Sequence, residues 1–89
     1  MKYGYVSYGL ITPEWLPRAL SEPKVFAKEM ERVKEDLKAK GFHLKYWGHP
    51  YGVSENIMVM LVSDKGLDAY HSVAVERPYS GNRTILAYK

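Results

Sequence analysis

One stretch constrains this chain more than any other. "NIMVMLV", Asn56 to Val62, is apolar at every position from Ile57 onward. A strand alternates its side chains between two faces, so a strand that is apolar on both must be covered on both. In 89 residues that demand is hard to meet. A chain this short makes one domain, residues 1–89, because it cannot divide its apolar residues between two cores. Such a domain buries roughly 60–65% of its unfolded surface, and burial against a second copy would add to a thin core.

The elements around that strand follow from pattern and punctuation. Lys2 to Ile11 is rich in Tyr, Val and Leu and ends at Thr12-Pro13, which reads as a first strand. Tyr3, Tyr5 and Ser7 fall on one face and Val6, Tyr8 and Leu10 on the other, so this strand too is expected to be central. "TPEWLPRALSEP" then reads as a proline-punctuated connection in which Thr12 caps a short turn and Pro17 discourages continuation. It is either a spacer packing Trp15 and Leu16 on the core edge or a lid. Between Ser21 and Lys40 the spacing of Phe26, Met30, Val33 and Leu37 predicts an amphipathic helix. Gly41 supplies its left-handed cap, with Phe42 folding back on the last turn. The charges on its outer face alternate in sign, with Arg32–Asp36 and Asp36–Lys40 as i,i+4 pairs, which marks a solvated face and not a phosphate-binding stripe.

A second strand runs from His43 to about His49, and the apolar strand follows a turn through Pro50 to Glu55. Ser63-Asp64 offers a cap for a shorter helix with Leu67, Tyr70, Val73 and Ala74 as its apolar stripe. "RPYSGN" breaks it, and Arg83 to Tyr88 reads as the last strand. The order is β-α-β-β-α-β, an α+β, ferredoxin-like split βαβ. Right-handed crossovers then place strands one and three in the middle of a four-stranded antiparallel sheet. Two helices cover one face of that sheet, leaving either Met58, Met60 and Val62 or Ile57, Val59 and Leu61 on the other. The open face calls for a partner: two copies pairing into a dimeric α/β barrel, or a monomer whose Trp15 loop folds over it.

"KGFHLKYWGHPYGVSENIMVMLVSDKGLDAY", with "SGNRTILAY" near the end, resembles the GYD-domain proteins of the dimeric α/β-barrel superfamily. The likeness lies in a helix-ending glycine, a strand finishing in aromatics and glycine, a short turn, an apolar strand, a helix and a closing "sGn-rT" segment. It covers Gly41 to Tyr88 and, less distinctly, the first strand and helix. The Gly-Tyr-Asp triplet itself is absent, with Gly52-Val53-Ser54-Glu55-Asn56 in the turn. The resemblance implies the fold and self-association. It carries over no catalytic residues, and the wider superfamily spans cofactor-free oxygenases, haem-degrading enzymes, isomerases and ligand sensors.

Composition removes several classes of function. Without cysteine there is no disulfide framework, iron–sulfur site or thiol nucleophile. The start of the chain lacks the features of a signal peptide, and no run is long enough to span a membrane, so a cytoplasmic protein is expected. The absence of glutamine, the two asparagines and the abundance of Lys and Glu resemble a thermophile's usage. Net charge is +3 and the pI near 9.1. The basic residues are interleaved with acids, and nucleic-acid binding through rings and basic residues is a minor alternative.

Candidate site residues gather on the second strand. Alternation places His43, Lys45, Trp47 and His49 on one face and Leu44, Tyr46 and Gly48 on the other. If Leu44 and Tyr46 meet the helices, the His/Lys/Trp face looks toward the barrel or its rim. His43, Tyr46, Trp47, His49 and Tyr51 are therefore the candidate ligand-binding residues, around an apolar pocket with a few polar groups. The bland alternative is a solvated edge strand, guarded from edge pairing by Lys45. His43 and His49 lie about 20 Å apart on an extended strand, too far to share a metal ion. No nucleophile elbow, Ser/His/Asp grouping or phosphate loop is present, and no cofactor is called for. The expected function is a homo-oligomer, a homodimer or higher even oligomer, that binds a small metabolite without catalysis. The alternative is a cofactor-free oxygenase or isomerase using a His/Tyr acid–base pair.

Overall fold

The computed structural model describes residues 2–88 and, within them, the side chains of all but Leu67, Ala87 and Tyr88. These residues form four strands, β1 (Tyr3–Ile11), β2 (His43–Gly48), β3 (Ile57–Ser63) and β4 (Tyr79–Tyr88), and three helices, α1 (Leu16–Ser21) and α2 (Pro23–Ala39) between β1 and β2, and α3 (Leu67–Ser72) between β3 and β4. The strands form one sheet in the order β2-β3-β1-β4, every neighbouring pair antiparallel. The two inner strands are the two whose sequences carry large side chains on both faces.

The faces of the sheet differ sharply. Tyr5, Ile11, Leu44, Ile57, Val59 and Leu61 join Phe26, Met30, Val33 and Leu37 of α2 in one buried core. Each such side chain is worth about 1.5–3 kcal/mol of burial, which outweighs the weak propensity of the short helices. On the opposite face Val6 stands across from Met60 and Ile85, and Tyr8 across from Met58 and Arg83. That face stays open, with Met60 41% and Ile85 56% exposed. The face of β3 left open is thus Met58, Met60 and Val62.

The expectation of two helices is corrected to three. α1 lies inside the connection read as irregular, and Pro17 stands in its first turn instead of ending it. In the first turn a proline's missing N–H leaves no intrahelical bond unmade. Ala19 of α1 is buried, and Trp15 and Leu16 pack on the core. Thr12 does not cap with its side chain: its carbonyl accepts the Trp15 and Leu16 N–H groups, while its hydroxyl is buried with no partner among the described residues. α2 starts at Pro23, two residues later than expected, again with proline in the first turn. Its end follows the sequence. Gly41 takes φ +90°, and the Phe42 N–H reaches back to the Leu37 carbonyl. Lys65 adds its ammonium on the Lys40 carbonyl, 2.9 Å away.

The last helix, α3, is shorter than its stripe suggested. Val73 is already extended, so α3 stops at Ser72, and its N-cap is Gly66 rather than Ser63 or Asp64. Ser63 is used otherwise, donating to the Gly41 carbonyl and accepting from the Lys65 N–H. Of the predicted stripe, Tyr70 is buried and stacks on Tyr5 at 5.2 Å, while the Leu67 side chain lies outside the described residues. β4 begins at Tyr79, four residues before the expected start, because "YSGN" pairs with the end of β1 through a bulge opposite Tyr8 and Gly9. Gly9 is required there, since a Cβ would lie 2.5 Å from the Ser80 carbonyl oxygen.

Candidate functional site

The local structure of β2 decides where the candidate residues go. His43 pairs with Val62 and Leu44 with Leu61, but Tyr46 pairs with Met60 and Trp47 with Val59. One residue, Lys45, is extra. A bulge of this kind reverses the alternation beyond it, so strict period-two reasoning fails from that point. The expected face of His43, Lys45, Trp47 and His49 is therefore corrected. His43, Lys45 and Tyr46 belong to the open face, and Leu44 and Trp47 to the helix face.

The five candidates consequently separate. Tyr46 is 56% exposed and lies along Gly48, at whose position a Cβ would sit 3.0 Å from the Tyr46 hydroxyl. His43 is half-buried across from Val62. Trp47 meets Phe26 edge-on with ring centroids 5.5 Å apart, and His49 meets Trp47 at 5.9 Å. His49 also holds the Asn56 carbonyl at 2.9 Å through Nδ1. Tyr51 stands fully exposed in the turn. The structure brings Trp47 and His49 together beside the start of α2, places His43 and Tyr46 on the open face, and leaves Tyr51 apart from both.

On the open face a shallow apolar cavity of about 250 Å³ lies between Gly4 and Val6 of β1, Met60 and Val62 of β3, and the bulged Lys45. Among the described residues Lys45 is the one charged group lining this hollow. An apolar hollow with a single cation suits an apolar molecule carrying one acidic group.

A second cluster was not singled out from the sequence. Glu55 is buried although it precedes β3 in a turn, and its carboxylate accepts from Asn82 Nδ2 at 2.6 Å and from Arg83 Nη2 at 2.9 Å. The Asn82 hydrogen bond, with Arg83 adding its own bond and charge, holds the carboxyl below the usual carboxylate range against the opposing effect of desolvation. Arg83 also covers the Tyr8 ring at 5.1 Å. Asn56 completes the latch, donating to the Gly9 carbonyl and accepting from the Ile11 N–H. The cluster ties the β2–β3 turn to β1 and β4, and it gives the "SGNR" residues a structural duty. A lone acid before an apolar strand is the only trace of it in sequence.

Among the described residues no group of three or more His, Asp or Glu side chains comes together as a metal site, and no helix is long and apolar enough to cross a membrane. Compared with protein-family models, with curated proteins and with solved structures, the chain has no match.

Proposed function

We propose that the chain is a ferredoxin-like module of the dimeric α/β-barrel kind, in which two copies pair their open sheet faces and enclose a pocket for a small molecule that is bound and not turned over. The observation that carries this reading is the open face itself. Val6, Tyr8, Leu10, Met58, Met60, Val62 and Ile85 make an apolar patch across three strands, with Arg83 lying over the Tyr8 ring. Soluble proteins seldom leave so large an apolar patch unoccupied. A twofold pairing of the same surface is self-complementary and removes both patches at once. The inner placement of β1 and β3 supports the fold assignment, and so do the sequence stretches that resemble the GYD-domain proteins.

In the dimer the hollow beside Lys45 becomes interior, and His43 and Tyr46 stand near its edge. Trp47 and His49 serve the α2 end of the core instead. Binding without catalysis is favoured because the hollow presents one cation and apolar groups rather than a paired base and donor.

Sedimentation of wild type and Met60→Lys at micromolar concentration tests the pairing. Met60 faces outward, so the lysine spares the core, whereas Val59 is 1% exposed and Val59→Lys serves as the core-damaging control. Wild type is expected as a dimer or higher even oligomer and Met60→Lys as a folded monomer. A wild-type monomer of 10.3 kDa would sink the reading.

A further inference from the structure

On the other side of the sheet, between α3 and the β1/β4 pair, lies a cleft of about 180 Å³. Its floor is unusual for the inner face of a small domain. Where β3 presents Ile57, Val59 and Leu61 to the core, β1 and β4 present Ser7 and Thr84. Ser7 is buried, and its hydroxyl shares a 3.2 Å hydrogen bond with that of Thr84. One bond between two hydroxyls uses one of their two protons, so a donor remains at the floor. Tyr79 lines the same cleft, and its buried hydroxyl has no hydrogen-bond partner among the described residues. Folding alone gains nothing from these choices, because buried polar groups cost free energy unless satisfied.

The walls are basic. Arg77 lies across the Tyr79 ring at 5.9 Å, and His71 comes from α3. Arg83 also borders the cleft but is engaged by Glu55. Among the described residues no ion pair engages Arg77, and no carboxylate lines the cleft. Size limits the occupant. About 180 Å³ corresponds to roughly six water molecules, well short of the ~300–1,000 Å³ that drug-sized ligands occupy.

We propose that this cleft binds a small free anion, a metabolite of few heavy atoms bearing a carboxylate or phosphate group, with Arg77 as its counter-charge and the remaining proton of the Ser7–Thr84 hydroxyl pair as floor donor. The site is separate from the open face and does not depend on dimer formation.

The test is an NMR titration of the full chain, following backbone amides, with inorganic phosphate, acetate and benzoate as probes and a short oligonucleotide as a further arm. Saturable shifts are expected at Ser7, Gly81 and Thr84 with at least one of the three small anions. The tighter probe then tells whether the headgroup is phosphate or carboxylate. Arg77→Gln should weaken that binding about tenfold or more, the usual worth of a charge-assisted contact. Gly81→Val is the second variant. A Cβ at Gly81 would meet only the Ser7 hydroxyl oxygen, at 3.7 Å, so the added side chain takes up cleft space without meeting backbone. It should abolish the shifts while leaving the thermal melt cooperative. If Gly81→Val fails to fold, Arg77→Gln decides alone. The proposal is overturned if no small anion gives saturable shifts, if Arg77→Gln binds as tightly as wild type, or if only the oligonucleotide perturbs these residues.

Discussion

Replacing Tyr79 with Phe separates a ring needed for packing from a hydroxyl that is not. Tyr79 is 5% exposed and pairs with Ile11 of β1. Its hydroxyl is buried without a hydrogen-bond partner among the described residues, a situation that costs about 1–3 kcal/mol because water has been surrendered with no protein acceptor in its place. Phe keeps the ring and the stacking of Arg77 upon it. Tyr79→Phe should therefore leave stability unchanged or raise it by up to about 2 kcal/mol. At roughly 4–8 °C per kcal/mol for a domain of this size, the melting temperature should rise by up to about 16 °C. A hydrogen-bonded tyrosine would respond with the opposite sign. The pH dependence gives an independent reading. Burial pushes the Tyr79 phenol above its ordinary value of 10.0, with nearby Tyr70 adding to the shift and Arg77 opposing it. The native state then keeps a proton that the unfolded chain releases. The associated stability is full below pH 10 and is lost as the pH rises beyond it. Wild type should lose stability more steeply than the variant on that alkaline limb. Urea unfolding of both proteins at neutral pH and above pH 10 is the assay. A variant clearly less stable at neutral pH, or equal alkaline slopes, would refute the reasoning.

Trp47→Ala should cost about 2 kcal/mol in urea unfolding, less than the ~3–5 kcal/mol of a fully buried aromatic truncation, because the half-buried ring packs on Phe26 at the core edge. A loss below about half a kcal/mol would return Trp47 to a solvent rim. Glu55→Gln probes the latch between the β2–β3 turn and β4. The native carboxyl lies below its ordinary value of 4.5, so its stabilisation is present above that pH and lost as pH falls through the lowered native value. The variant should show a flatter decline of stability in acid, and acid limbs of equal steepness for the two proteins would contradict the latch.

Much of the fold could be read from residue spacing, and the failures have particular causes. The stripe from Phe26 to Leu37 and the cap at Gly41 were legible because several turns of one helix repeat the same signal. The inner placement of β1 and β3 was legible because both carry large side chains on both faces. α1 was not, because Pro17 reads as a breaker in isolation and as an initiator only once its place in the first turn is known. α3 was overextended because Val73 continues an apolar spacing that the backbone has already abandoned. The sequence also placed Trp47 on the wrong face. The single extra residue at Lys45 reverses everything after it, and bulges leave no compositional mark at a lysine. The Glu55 latch depends on partners 27 and 28 residues away, a distance at which local pattern is silent.

The two faces of β1 connect these observations. A strand in a self-sufficient monomer would turn its apolar residues inward and its polar ones to water. β1 instead places Ser7 and Gly9 inward beside Tyr5, and Val6, Tyr8 and Leu10 outward. β4 repeats the inversion, with Thr84 inward and Ile85 outward. Burying a serine while exposing isoleucine runs against the transfer free energies of both side chains, unless each surface meets something other than water and hydrocarbon respectively. A second copy of the sheet would satisfy the outward row, and a small anion would satisfy the inward hydroxyls. The two proposals thus rest on one pattern seen from opposite sides. They fail separately, because Met60→Lys alters only the first surface and Arg77→Gln only the second.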